Sequence, residues 1–358
     1  MYSRILIENF RGIGRLEVDG LRPINIIVGR NNCGKSRFLE ALFLLGAATE
    51  PHLTSTVAQL RGQRQVNGAT DALWRPLFRN LDPRAPIKIQ GHWEAELQGR
   101  ELLIQARQGS PTVFDSSSQT IEGSGSSSVG RDFPVGRLEY EYTDGLGNKK
   151  DSFARYDPQT GGIHSRPLMR EDHVITTLLS ARFFPGQLED LHLFSTLVKR
   201  KQEGDVLEAL RLIEPALERI EVLSEPGGPS LYLDLGLEAL VPLAVCGEGI
   251  VRLFSIIVEL IASRNGVLLI DEIDNGLHYR VMPGLWKLLG HLVAKHNVQV
   301  FGTTHNDDMM RSALEAFAGK EGMLGLFRID RRGDSHVMVG YSEEAMEAVL
   351  EVPFEVRG

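Results

Sequence analysis

The run from Ile24 to Leu45 constrains this chain more than any other stretch. Ile24-Asn25-Ile26-Ile27-Val28 reads as a buried strand and Phe38-Leu39-Glu40-Ala41-Leu42-Phe43-Leu44-Leu45 as a helix. Between them stands Gly29-Arg30-Asn31-Asn32-Cys33-Gly34-Lys35-Ser36, a complete G-x-x-x-x-G-K-[ST] phosphate loop. Backbone N–H groups of such a loop, and of the helix N-terminus it enters, cradle nucleotide phosphates. Lys35 reaches the outer phosphates, and the Ser36 hydroxyl is a ligand for Mg²⁺. The expected nucleotide-binding residues are therefore Gly29, Asn31, Asn32, Cys33, Gly34, Lys35, Ser36 and Arg37.

Two later segments fit the same chemistry. Val267-Leu268-Leu269-Ile270 is an apolar run that suits a strand covered on both faces, and it ends in Asp271-Glu272. Asp271 at the strand end holds Mg²⁺ through water. Glu272, pointing the other way, polarises the attacking water. Val298-Gln299-Val300-Phe301-Gly302-Thr303-Thr304 is a further strand with His305 just past its end, within reach of a γ-phosphate or the attacking water.

The order phosphate loop, signature-like segment, Asp-Glu strand, Thr-Thr-His resembles the ABC-type ATPases. Within them it resembles the RecF/SMC-like branch that works on DNA. Ile5-Leu6-Ile7-Glu8-Asn9-Phe10-Arg11-Gly12 is similar to the first strand and turn of that branch, and Asp274-Asn275-Gly276-Leu277-His278 to its D-loop. The short bacterial AAA-type, OLD-like ATPases look most alike. The resemblance implies an α/β fold: a mixed or parallel central sheet, an antiparallel β subdomain and a helical lobe, with no heptad run for a long coiled coil. It also implies ATP and Mg as cofactors, and a homodimer or higher homo-oligomer closed head-to-tail on ATP.

One motif departs from the family pattern. Cys246-Gly247-Glu248-Gly249-Ile250 stands at the ABC signature, which usually begins Leu-Ser-x-Gly and contacts the partner's γ-phosphate. Gly247 falls where the Ser would be, so the hydroxyl is missing. Backbone N–H groups of Gly247, Glu248 and Gly249 at a helix start still suit phosphate in trans. Ile250, Leu253, Phe254, Ile257, Leu260 and Ile261 carry that helix onward at helical spacing.

The 358 residues are expected to form one ATPase domain. Residues 1–50 give the phosphate-loop lobe. Residues 51–175 insert strands around 87–93, 101–104 and 138–142, with a Ser/Gly-rich loop at 115–130 and a hairpin turn at Gly145–Asn148. A helical segment covers 176–229, with helices read from 185 to 223. Residues 230–358 bring the signature, Asp-Glu and His segments, then a terminal hairpin and a short helix around Glu343–Leu350. No glutamine is singled out for the usual Q-loop, although Gln59 and Gln63 are available.

Net charge is −8, which excludes a generally basic DNA-coating protein. Residues 1–64 nevertheless hold nine Lys/Arg against five Asp/Glu. That local basic bias suits nucleic-acid backbone or nucleotide phosphates equally. Lys199-Arg200-Lys201 reads as a DNA contact or a solvated helix face. Cys33 and Cys246, placed on two phosphate-facing loops, make neither a disulfide framework nor a zinc pattern. No signal peptide or long apolar run is present, so a cytoplasmic location without membrane contact is expected. No second active-site motif appears. The stretch after His305 is too short for the nuclease domain of larger OLD-like proteins, so any nuclease or toxin partner is expected on a separate chain.

Two readings follow. One is an ATPase coupled to DNA in repair or anti-phage defence, binding duplex non-specifically through its phosphates. The other is a nucleotide-gated scaffold that positions a toxin or nuclease effector, with slow turnover. The Asp271-Glu272 pair favours the first, and the missing signature Ser favours the second.

Overall fold

All five residues of Ile24–Val28 are buried, as a strand covered on both faces requires. This strand is the centre of the molecule. The structure, a computed structural model, describes residues 1–48, 50–59, 73–94, 96, 98–108, 135–157, 162–167, 174–181, 188–333 and 335–351. The Ser/Gly-rich loop at 115–130 and Gln63 lie outside the described residues; Gln59 ends a short helix.

The chain begins with β1 (Tyr2–Phe10), β2 (Ile13–Asp19) and the central β3 (Ile24–Val28). The helices α1 (Lys35–Gly46) and α2 (Leu53–Gln59) follow. Next come β4 (Ile87–Trp93), β5 (Arg100–Gln108), β6 (Val135–Thr143), β7 (Lys149–Tyr156), β8 (Ile163–Ser165) and β9 (Thr176–Leu179). Helices α3 (Leu188–Lys199) and α4 (Glu203–Leu210) lead to a three-stranded sheet of β10 (Arg219–Glu225), β11 (Gly228–Asp234) and β12 (Val241–Pro242). The second half supplies α5 (Glu248–Ala262), β13 (Val267–Ile270), α6 (Met282–His296), β14 (Gln299–Thr303) and α7 (Asp307–Phe317). The hairpin β15 (Leu324–Arg332) and β16 (Ser335–Gly340) precedes α8 (Glu343–Glu351).

The central sheet runs β16-β15-β3-β14-β13-β9. Its pairs are parallel except β15 with β16. A seven-stranded antiparallel sheet, β2-β1-β4-β5-β6-β7-β8, forms the other layer. Thus β1 and β2, which precede the phosphate-loop segment in sequence, belong to the sheet built largely from the inserted residues. The fold is the mixed α/β arrangement expected, and the longest described helices, α5 and α6, have 15 residues each.

Buried polar side chains join the two sheets. The Gln299 amide accepts from the Tyr2 N–H at 2.7 Å and donates to the Tyr2 carbonyl at 2.8 Å, so a side chain stands in for a strand partner. Arg11 after β1 meets Glu40 of α1 at 3.2 Å, with both side chains largely buried. Removing one member of such a pair costs about 3–5 kcal/mol, because the other charge is stranded.

Helix α5 is apolar almost all round because it is enclosed. It packs against α3, α4, α6 and β13, and the two buried polar residues on it are Arg252 and Ser255. The Ser255 hydroxyl donates to Asp190 of α3 at 2.6 Å.

Two expectations are corrected. The helices read over residues 185–223 end earlier, since 219–225 form β10. The turn of Pro226, Gly227 and Gly228 lets β10 fold back on β11, and that pairing overrides the helical spacing of the apolar residues. Residues 176–179, placed in the helical segment, are the edge strand β9 beside β13. At the hairpin turn, the Asp144 carboxylate accepts from the N–H groups of Leu146 at 3.0 Å and Asn148 at 2.9 Å.

Candidate active site

Parallel strands deliver their C-terminal ends to one edge, and open α/β sheets bind ligands there. Register pairs Ile27 of β3 with Thr303 of β14, and Gly302 of β14 with Ile270 of β13. The phosphate loop, the Asp271-Glu272 pair and the Thr303-Thr304-His305 segment therefore leave the sheet side by side.

The loop's geometry follows from its glycines. Gly29 has φ 142° and Gly34 has φ 117°, a region that side chains with a Cβ rarely enter. Gly34 caps α1, whose first turn carries no acidic residue, so the positive helix end faces the loop without competition. The Lys35 ammonium curls back to donate to the carbonyls of Gly29 at 2.7 Å and Arg30 at 3.2 Å. Asn31 and Asn32 are exposed, and Asn32 Oδ1 accepts from Arg37 Nη2 at 3.2 Å.

Cys33 sits on the phosphate loop with its side chain turned away from solvent. Its thiol turns into the core beneath the loop, and that burial pushes its pKa up. Cys246 is half-buried, and burial raises its thiol pKa as well.

The acid pair is tied to the loop directly. The Ser36 hydroxyl donates to Asp271 Oδ1 at 3.1 Å, and the Thr303 hydroxyl donates to the same oxygen at 2.6 Å. Thr303 Oγ1 also accepts from the Glu272 N–H at 2.9 Å. Glu272 has φ 52°, a left-handed conformation costly for a residue with a Cβ. It is fixed from both sides: by Thr303, and by Arg252 of α5, which donates to the Asp271 carbonyl at 3.0 Å. Burial pulls the Arg252 guanidinium below its ordinary pKa, while Asp271 and Glu272 pull it back up. His305 is exposed beyond the end of β14.

Ser36 and Asp271 present hard oxygen donors side by side, a set that suits Mg²⁺ completed by phosphate and water. Among the described residues no cluster of three or more His, Cys, Asp or Glu forms a separate metal cage.

The signature segment opens α5. Gly247 caps α5 with φ −59°, and a side chain there would meet nothing within 4 Å. Gly249 has another role: a Cβ on it would stand 2.9 Å from the Gly276 carbonyl of the D-loop. The D-loop is anchored in turn by Thr304, whose hydroxyl donates to Asp274 at 2.6 Å. Sequence reasoning missed the roles of Thr303, Thr304 and Arg252. Two hydroxyls at the end of a buried strand, and one Arg inside an apolar helix, were the available signals.

Much of the basic bias of residues 1–64 is spent within the fold. Arg4 pairs with Glu17 and with Asp19 at 3.1 Å, Arg15 with Glu17 at 2.9 Å, and Arg11 with Glu40. Lys199, Arg200 and Lys201 end α3 on an exposed surface, where cations favour the helix C-terminus.

Strand order, phosphate loop and acid pair together define an ABC-type ATPase of the RecF/SMC-like branch. Residues 24–310 match the family described as "AAA domain, putative AbiEii toxin, Type IV TA system", and the chain belongs to that family. An "ATP/GTP phosphatase" of Helicobacter pylori is 25% identical over 323 residues, covering 87% of this chain and 86% of the relative. The DNA replication and repair protein RecF of Psychromonas ingrahamii is 41% identical over 59 residues, 16% of each chain. Among solved structures, an SMC head bound to the C-terminal winged-helix domain of ScpA aligns with a TM-score of 0.56 at 14% identity, covering 97% of this chain and 99% of that one. At that identity the likeness concerns the fold. Among the described residues no helix is long and apolar enough to cross a membrane.

Proposed function

We propose that this protein binds Mg-ATP, closes head-to-tail into a homodimer around it, and hydrolyses it in the cytoplasm. The observation that carries the reading is the network of Ser36, Asp271 and Thr303 beside the fixed backbone of Glu272. The loop and the α1 N-terminus bind the phosphates, and Lys35 neutralises the outer ones. Ser36 and Asp271 would hold Mg²⁺, which neutralises charge developing on the phosphate oxygens. Glu272 accepts a proton from water as its oxygen bonds the γ-phosphorus. The bond to the bridging oxygen breaks, and ADP leaves with that electron pair. His305 positions the γ-phosphate or the water. The exposed Gly247 end of α5 completes the site of a second copy.

Turnover serves DNA transactions, in repair or anti-phage defence, with a nuclease or toxin effector on a separate chain. The RecF similarity supports DNA as the partner. A second reading, a nucleotide-gated scaffold for a protein effector, is favoured by the ion-paired outer face of the antiparallel sheet. There Lys88 meets Glu101 at 3.1 Å and Lys149 meets Glu141 at 2.6 Å, and Arg107 and Arg137 share Glu139.

Light scattering of the Glu272→Gln protein tests the dimer: doubling of mass with Mg-ATP but not with ADP is expected, and a monomer under both conditions refutes the head-to-tail site. A duplex-DNA titration separates the two readings. With roughly four to six phosphate contacts, log affinity should fall against log salt with a slope of about −4 to −5. No binding at low salt and no stimulation of turnover leaves the scaffold.

A further inference from the structure

The strand β10 leaves one edge of its sheet open. It is the outer strand of the order β10-β11-β12, and five of its seven residues, Arg219, Val222, Leu223, Ser224 and Glu225, are exposed. Pairing with β11 uses one edge only, so alternate N–H and C=O groups of β10 point outward with no strand partner among the described residues. Proteins blunt such edges with Pro, with Lys or with a bulge. Residues 219–225 contain neither residue, and their register against β11 runs without a shift. Val222 and Leu223 are each 37% exposed on this strand.

The sequence of β10 fits a second copy of itself. Ile220 and Val222 stand opposite the buried Leu233 and Leu231, so the even-numbered side chains face the core. Arg219, Glu221, Leu223 and Glu225 share the outer face. A second copy joining this edge must keep its own core face inward, so antiparallel pairing about a two-fold axis sets even residues opposite even ones. An axis at Glu221 sets that carboxylate opposite its own copy, and an axis at Leu223 sets Glu221 opposite Glu225. An axis at Ile220 or Ser224 pairs only three residues of the strand. An axis at Val222 pairs all seven: Arg219 faces Glu225 at both ends, Ile220 faces Ser224, and Val222 faces Val222.

The charged groups keep the atoms this register needs. Arg219 meets Asp234 at 3.0 Å and Glu221 at 3.4 Å through Nε in both cases, which leaves its Nη groups. Glu225 accepts from the Tyr232 hydroxyl through Oε1, which leaves Oε2.

We propose that β10 is a second self-association surface: two copies pair antiparallel along this edge, with Val222 on the two-fold axis and Arg219 of each copy on Glu225 of the other. The contact needs no nucleotide. It uses neither the phosphate loop nor the Gly247 end of α5, so it goes beyond the head-to-tail closure and, combined with it, links dimers into larger assemblies. One strand per copy is a small contact, below the area of a stable dimer, so association belongs in the micromolar range.

Sedimentation velocity across that range, without nucleotide, reads the contact. Wild type should shift towards dimer as concentration rises. Arg219→Glu and Glu225→Arg should each weaken association about tenfold, because both facing pairs turn from opposite to like charge. Joining the two changes in one chain should restore it. Mixing the two single variants should give heterodimers, since every facing pair is again opposite in charge. Under oxidation, Val222→Cys should cross-link to its own copy and Ser224→Cys should not, with Cys33 and Cys246 present in both as the control.

A wild-type protein that stays monomeric across the range overturns the proposal, as does association that neither reversal weakens. Loss in the single variants without recovery in their mixture overturns it too. Association that appears only with Mg-ATP belongs to the head-to-tail closure and also overturns it. Thermal unfolding checks that each variant folds; if one reversal does not, the other and the two cysteine variants decide.

Discussion

Ser36 and Asp271 stand 235 residues apart in the chain, yet the serine hydroxyl donates to the aspartate carboxylate across 3.1 Å. One residue opens the helix after β3 and the other closes β13, and β14 lies between those strands. The contact therefore reports the strand order itself. It also places the two expected oxygen donors for Mg²⁺ at one point beside the phosphate loop.

Thr303 reaches into this contact from β14. Thr303→Val keeps the shape but removes the donor to Asp271 and the acceptor for the Glu272 N–H. With Glu272 in a left-handed conformation, losing that acceptor frees the residue expected to act as base. Stability should fall by about 1–3 kcal/mol. ATP turnover should fall by more than ATP affinity does. Denaturant unfolding and steady-state kinetics on the same preparation check both.

At the signature, Gly247→Ser restores the hydroxyl that the family pattern carries. Its backbone suits serine, and the space around it is open, so the fold should tolerate the change. ATP-driven dimerisation should strengthen, measured as a lower dimer dissociation constant by light scattering. Gly249→Ala should do the reverse, because its Cβ would press on the Gly276 carbonyl and push the D-loop away from α5. Equal dimerisation in all three proteins would remove this segment from the interface.

Glu259 of α5 supplies a pH dependence. Burial, then Asp190 and Glu189 nearby, raise its carboxyl from 4.5 to about 7. The folded state thus holds a proton that the unfolded chain releases between those values. Its contribution is complete below about pH 4.5 and is lost as pH rises through about 7. Glu259→Gln should remove that slope and raise stability at pH 8 by an amount on the order of 1–3 kcal/mol. Thermal unfolding from pH 5.5 to 8.5 gives the comparison, and parallel curves for the two proteins would refute the assignment.

The parts of this site that were legible in the sequence are those in which local rules and function coincide. Gly29 and Gly34 mark positive φ, β3 and β13 are unbroken apolar runs, and Asp271-Glu272 ends a strand where acids have chemical work. Other parts depend on distant partners. Nothing near Arg252 says that a guanidinium inside an apolar helix meets the Asp271 carbonyl. The strand β10 was hidden for a related reason. Ile220, Val222 and Leu223 suit either a helix or a strand, and the choice falls to pairing with β11 across the Pro226-Gly227-Gly228 turn.

The most direct measurement is ATP turnover by the wild-type and Glu272→Gln proteins under Mg²⁺, with nucleotide binding measured alongside. Glutamine keeps the shape of Glu272 and removes its ability to take a proton. Binding should stay within a few-fold of wild type, while turnover drops by on the order of 10²–10⁴, the usual loss with a general base. His305→Ala should fall between the two, and Lys35→Ala should lose binding itself. Wild-type turnover in Glu272→Gln would contradict the account.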